Sequence, residues 1–176
     1  MSAVVEVKGS AEVRPDLSAI DAEGRGLDLG ALSRRQVIVG EAYFLRALNY
    51  LNLVRYWGAV PLRLAPAEGL ASLSAPRASV DEVYAAIVAD LQTAEAALPD
   101  GAANGRPSRW AATALLADLH LGRESWAQAA AKAKEVIDSG QFSLLEVSSA
   151  EDFHQIFGAD VDKSVEEIFD IMQGIK

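Results

Sequence analysis

Val37-Ile38-Val39-Gly40-Glu41-Ala42-Tyr43-Phe44-Leu45-Arg46-Ala47-Leu48-Asn49-Tyr50-Leu51-Asn52-Leu53-Val54-Arg55-Tyr56-Trp57 is the stretch on which the fold turns. It is too long for a strand and free of proline, and Gly58 follows it where a left-handed C′ residue would end a helix. Ser33 offers an N-cap a few residues upstream, while Arg34 and Arg35 oppose the helix dipole at that end. Apolar residues occupy most of the circumference, which predicts a helix buried on two sides rather than one lying on a surface.

Downstream, Pro61, Pro66, Gly69 and Pro76 predict a long extended or turning connector. A second helix opens at Ser79, where Ser79-Val80-Asp81-Glu82 has the spacing of a capping box. Val80, Val83, Tyr84, Ile87, Val88, Leu91, Ala94 and Leu98 then recur every three or four residues, and Pro99 stops the run. Beyond the turn-rich Asp100–Gly105, Pro107-Ser108 introduces a third helix from Trp110 to about Leu121, closed by Gly122. Ser125, paired with Gln128 as a second capping box, starts a fourth from Trp126 to about Ser139, closed by Gly140. So short a connection makes these two an antiparallel hairpin, with Leu116, Ala117, Ala129, Ala133 and Val136 expected at the contact. If the Trp126 ring is buried there, its loss to alanine should cost roughly 3–5 kcal/mol. Gln141–Leu145 reads as extended, Ser149–Phe157 as a short capped helix, and Glu166–Met172 as a strand or helix of uncertain period. Residues 1–32, broken by Pro15, Gly24, Gly26 and Gly30, form an irregular lead-in to the helical region 33–176.

Composition narrows the function. With 51% hydrophobic residues in 176, the chain can bury a core. Sixteen basic against 25 acidic residues give a net charge of -9, and no basic cluster exceeds Arg34-Arg35, so nucleic acid is not an expected partner. The absence of cysteine excludes disulfides, thiolate metal sites and cysteine nucleophiles. Charges at Glu6 and Lys8 interrupt any signal-peptide core at the start of this chain, and Arg46, Asn49, Asn52 and Arg55 interrupt the most apolar stretch short of a membrane span.

The third and fourth helices, through Leu116, Ala117, His120, Trp126, Ala129, Ala133 and Val136, resemble a tetratricopeptide repeat. Gly40-Glu41-Ala42-Tyr43-Phe44-Leu45-Arg46-Ala47 followed by Tyr50–Leu62 resembles a segment of SusD/RagB-like nutrient-binding proteins. Pro76–Tyr84 with Ile87, Asp90 and Leu91, then Arg109–Ile137, then Val165–Asp170, are similar to later segments of that family in the same order. The resemblance implies an all-α fold of tetratricopeptide-like antiparallel hairpins wound into a superhelix, with long loops and little β structure. It also implies a cell-surface outer-membrane lipoprotein that captures glycans or other oligomeric nutrients together with a TonB-dependent transporter. Membrane attachment would come only through a lipid anchor, whose signal and cysteine this chain lacks. On that comparison the chain reads as truncated at both ends, and a large exposed apolar patch is expected around Phe142, Leu144, Ile168 and Phe169.

Tyr56 and Trp57 are the ligand-binding candidates, because an aromatic face offers an apolar platform to a sugar ring; their helical spacing nevertheless favours core packing. Arg46, Arg55 and Arg77 match family positions and read as structural, pairing with carboxylates or helix carbonyls. Glu151, Asp152 and His154 read as an acidic helix start rather than a metal site. Asp160, Asp162 and Ser164 begin like a calcium loop, but Val165 and Ile171 stand where it needs glycine and glutamate. His120 and His154 belong to no HExxH pattern, and neither a GxSxG elbow nor a GxGxxG turn occurs. No catalytic residue, metal site or cofactor is therefore expected, and the chain reads as a non-enzymatic glycan-binding segment. The alternative is a self-contained tetratricopeptide-like scaffold for protein–protein interaction.

Overall fold

A computed structural model describes residues 32–66, 74–101, 105–154 and 166–169. Within them lie four α-helices, α1 (Leu32–Trp57), α2 (Val80–Ala97), α3 (Arg109–Gly122) and α4 (Trp126–Asp138), and a single 3₁₀ turn at Ala150–Phe153. The described residues contain no strand, only one antiparallel bridge between Pro61 and Arg77. The expectations for residues 1–31, for the end of the short helix at 155–157, for the calcium-like stretch 160–165 and for 170–172 lie outside the described residues. Leu32, placed by sequence in the lead-in, is the first residue of α1, and Ser33 lies inside that helix instead of capping it.

Each helix packs on the next. α2 is the centre, with α1 on one side and α3 on the other; α3 and α4 form the hairpin, and α1 scarcely touches α3. Phe44, Ala47, Leu51 and Val54 of α1 bury against Val83, Ile87, Leu91, Ala94 and Leu98 of α2, and Ala111, Ala112, Leu116 and Leu119 of α3 complete one core. Gly40 marks the closest approach of α1 to α2: a Cβ there would stand 2.9 Å from the Ala97 Cβ and 3.2 Å from Leu98 Cγ. The stripe of α2 therefore does what its period predicts, and Ile168 and Phe169 close over the same core, with Phe169 edge-to-face on Phe44 at 5.0 Å. Glu166–Phe169, left open between strand and helix, is an irregular turn in the described residues.

The ends follow local chemistry at some sites and not at others. At α2 the Ser79 oxygen accepts from the Glu82 amide at 3.2 Å, and the Ser79 amide donates back to the Glu82 carboxylate at 2.7 Å. The Ser79 hydroxyl also donates to the Glu82 carboxylate at 2.7 Å, and this bond, with that from the Ser79 amide, favours the ionised form and holds the Glu82 pKa below its ordinary value. Ser108 caps α3 by accepting from the Ala111 amide. The second expected capping box is absent, because Ser125 makes no side-chain cap bond. The turn before α4 is so tight that Glu124 adopts φ +57°, and the Ser125 amide reaches back to the His120 carbonyl at 2.9 Å. This leaves Ser125 at ψ 64°, outside the extended geometry that presents an N-cap oxygen.

Four packing expectations are corrected. α1 is buried on one side only: Leu45, Leu53, Tyr56 and Trp57 are exposed, together with Asn49 and Asn52. Of the hairpin positions, Leu116, Ala129 and Val136 are buried, but Ala133 faces outward. The patch around Phe142 reduces to Leu144, since Phe142, Ile168 and Phe169 are half-buried. Trp126 is 62% exposed. Trp126→Ala is therefore expected to change the unfolding free energy by less than about 1 kcal/mol rather than by several, measured by urea titration of dilute protein.

A polar network ties α4 to α2 across α3. Thr113, fully buried, donates to Glu95 at 2.6 Å, and Lys132 donates to both Glu95 oxygens at 2.9 and 3.0 Å and to Glu135 at 3.0 Å. Partial burial opposes the Lys132 charge, yet these acceptors outweigh it and keep its pKa above the usual lysine value.

Candidate functional site at the end of the first helix

α1 ends on two consecutive aromatic residues. Gly58, at φ +67°, donates its amide to the Val54 carbonyl at 2.9 Å and turns the chain back, so Tyr56 and Trp57 project from the last turn. The two residues are 78% and 63% exposed, against the core packing that their spacing favours. The ring centroids are 5.6 Å apart with 62° between the planes, an edge-to-face pair that steadies both rings.

Arginines hold the surroundings in place. Arg77 donates from Nε to the Ala59 carbonyl at 2.6 Å and from Nη2 to the Trp57 carbonyl at 3.2 Å, filling acceptors that the helix end leaves open. The Ala78 amide donates to the Val60 carbonyl at 2.9 Å beside the Pro61–Arg77 bridge, so the two ends of the connector are laced together. Tyr50 Oη accepts from the Arg63 amide at 2.7 Å, and Arg46 Nη1 donates to the Leu64 carbonyl at 3.0 Å, laying the start of the connector along α1. Arg55 reaches across to Asp118 of α3 at 2.8 Å. The structural roles expected of Arg46, Arg55 and Arg77 are the ones they play. The pinned connector beside the aromatic pair was not legible, because it depends on tertiary contacts of Tyr50 and Arg46 rather than on turn residues.

The arrangement offers two exposed ring faces next to backbone polar groups, fit for stacking and hydrogen bonding. At the other candidate, the Asp152 carboxylate accepts from the Ser148 and Ser149 amides at 2.8 Å each, and these bonds hold its pKa below the ordinary value. It serves the 3₁₀ turn. The described residues contain no group of three or more His, Asp or Glu side chains placed to hold a metal ion, and no described helix is long and apolar enough to cross a membrane.

Residues 20–121 match a SusD-like family model described as starch-binding and associating with the outer membrane. The SusD-like protein P2 of Formosa agariphila is 32% identical over 134 residues, which are 74% of this chain and 26% of that protein. A SusD-like protein of Bacteroides fragilis, solved by crystallography, has the same fold with a TM-score of 0.76 at 26% identity, over 89% of this chain and 31% of that one. A SusD superfamily protein of Parabacteroides distasonis is 31% identical with a TM-score of 0.65, over 74% and 30% of the two chains. The chain thus spans about a quarter of the length of the curated relative and under a third of the solved ones.

Proposed function

The chain belongs to the SusD-like family, and from that premise we propose that it is a non-enzymatic part of a glycan-capture system at the outer-membrane surface, working with a TonB-dependent transporter. The observation that carries this reading is the family match over residues 20–121, which takes in the whole of α1, α2 and nearly all of α3. In this reading residues 33–176 are one helical platform, and Tyr56 and Trp57 add a stacking surface for a sugar ring. An exposed ring can take the apolar C–H face of a pyranose without desolvating a charge, and the 62° between the two planes lets both rings contribute faces.

The test is binding of the protein to an immobilised glycan array, followed by titration calorimetry on the best ligand. Glycan binding that weakens at least tenfold in Tyr56→Ala and Trp57→Ala, with unchanged thermal unfolding, is the expected result. Binding that survives both substitutions would move the site elsewhere on the platform. Absence of any glycan binding, together with failure to co-purify with a TonB-dependent transporter from the native membrane, would overturn the proposed function.

A further inference from the structure

A guanidinium offers a planar oxyanion two donor edges, one through Nε and Nη2 and one through Nη1 and Nη2. At Arg77 the first edge is taken, with Nε on the Ala59 carbonyl at 2.6 Å and Nη2 on the Trp57 carbonyl at 3.2 Å. The second edge carries no hydrogen bond or ion pair among the described residues, and Arg77 is exposed. The Trp57 carbonyl that it holds belongs to the residue whose ring is exposed beside Tyr56, so guanidinium and ring lie within one residue of each other.

The charge on that edge has no counterpart. Arg46, Arg55, Arg106, Arg109 and Arg123 each reach a carboxylate, in a chain where 25 acidic residues face 16 basic ones. Arg77 reaches none among the described residues, although Asp81 and Glu82 follow it closely in sequence. Asp81 is bound to Arg123 at 2.6 Å, and Glu82 to the Ser79 hydroxyl and amide at 2.7 Å each. The backbone of Arg77 is fixed as well, by its bridge to Pro61 and by the Ala78 amide on the Val60 carbonyl. A cation pinned before its ligand arrives loses little side-chain freedom on binding it. Resting on the reading of Tyr56 and Trp57 as a sugar platform, we propose that the glycan taken there is anionic. One sugar ring stacks on the aromatic pair, and a carboxylate or sulfate ester on that ring or the next accepts from the Nη1 and Nη2 edge of Arg77. Either anion presents two oxygens to the fork, whereas a neutral sugar brings hydroxyls alone.

Titration calorimetry at low salt with four oligosaccharides of equal length tests this: oligogalacturonate, its methyl ester, a malto-oligosaccharide and a sulfated galacto-oligosaccharide. Oligogalacturonate or the sulfated oligomer should bind at least tenfold more tightly than the malto-oligosaccharide, and whichever of the two binds better identifies the anion as carboxylate or sulfate. Esterification changes the ligand and leaves the protein intact, so the ester should fall to the affinity of the neutral oligomer if the anion is a carboxylate. Arg77→Lys keeps a positive charge but removes the fork, and should cut the preference for the anionic over the neutral oligomer at least fivefold. That ratio separates the two roles of Arg77, because a loosened clasp alone weakens both ligands together. Equal affinity for the neutral and both anionic oligomers would overturn the anionic class and leave glycan capture by the ring pair standing, as would a preference that survives Arg77→Lys. Failure to bind any of the four would overturn both readings.

Discussion

Asp90→Ala is expected to lower the unfolding free energy by about 3–5 kcal/mol, the largest effect of any single polar substitution in this helical core. Asp90 accepts from Arg46 Nε and Nη2 at 2.7 Å each, a two-pronged pair between α2 and α1 with both side chains less than a tenth exposed. Burial works against the Arg46 charge, but the hydrogen bonds and charge of Asp90, with smaller contributions from Tyr43 and Tyr50, outweigh it and raise its pKa. Removing the carboxylate leaves a guanidinium out of water with the Leu64 carbonyl and the Tyr43 ring as its remaining partners. That residual cation is what makes the single substitution costly. Replacing both partners, Arg46→Leu with Asp90→Leu, should recover most of the loss, since apolar groups in the same space need no charge compensation. Urea unfolding of the single and double variants measures both. A loss below about 1 kcal/mol for Asp90→Ala would mean that water reaches the Arg46 guanidinium.

Gly40→Ala should destabilise by roughly 1–3 kcal/mol, although alanine is intrinsically the better helix residue by about 1 kcal/mol. The added methyl would meet the Ala97 Cβ at 2.9 Å and Leu98 Cγ at 3.2 Å. The first of these neighbours is a Cβ, fixed to its backbone, so relief requires α1 and α2 to move apart along a core that includes Phe44, Leu91 and Ala94. Ala97→Gly in the same chain removes the clash and should restore part of the stability, giving a coupling of about 0.5–3 kcal/mol in a double-mutant cycle. Additive effects of the two substitutions would place the closest contact elsewhere.

Much of the helical layout is written locally. The Ser79–Glu82 box, the three- and four-residue recurrence from Val80 to Leu98 and the stop at Pro99 describe α2 almost to the residue, because propensity, capping and burial agree there. Ser125 and Gln128 show the limit of the same logic. They have the motif, but the length of the preceding turn decides the backbone angle of Ser125, and a motif does not encode that length's consequence. On α1 the apolar count suggested burial on two sides, whereas Asn49 and Asn52, interleaved with Leu45, Leu53 and Tyr56, mark the face that is exposed. Trp57 and Trp126 fail as core residues for a related reason: periodicity says which residues share a face, not which faces find neighbours. The partly buried Thr113–Glu95–Lys132 network spans three helices and has no signature in any one of them.

The lacing of the connector has an evolutionary and practical consequence. Arg77 on the carbonyls of Trp57 and Ala59, with the Pro61–Arg77 bridge, closes a ring whose two ends meet whatever lies between Pro66 and Ser74. The angle between α1 and α2 is then held by their packed core and by this clasp. Lengthening a closed loop costs only about 0.6 kcal/mol per doubling. Related chains are free to vary that span in length and composition without retuning the scaffold, and the same interval is the natural port for inserting a reporter peptide or a grafted binding loop.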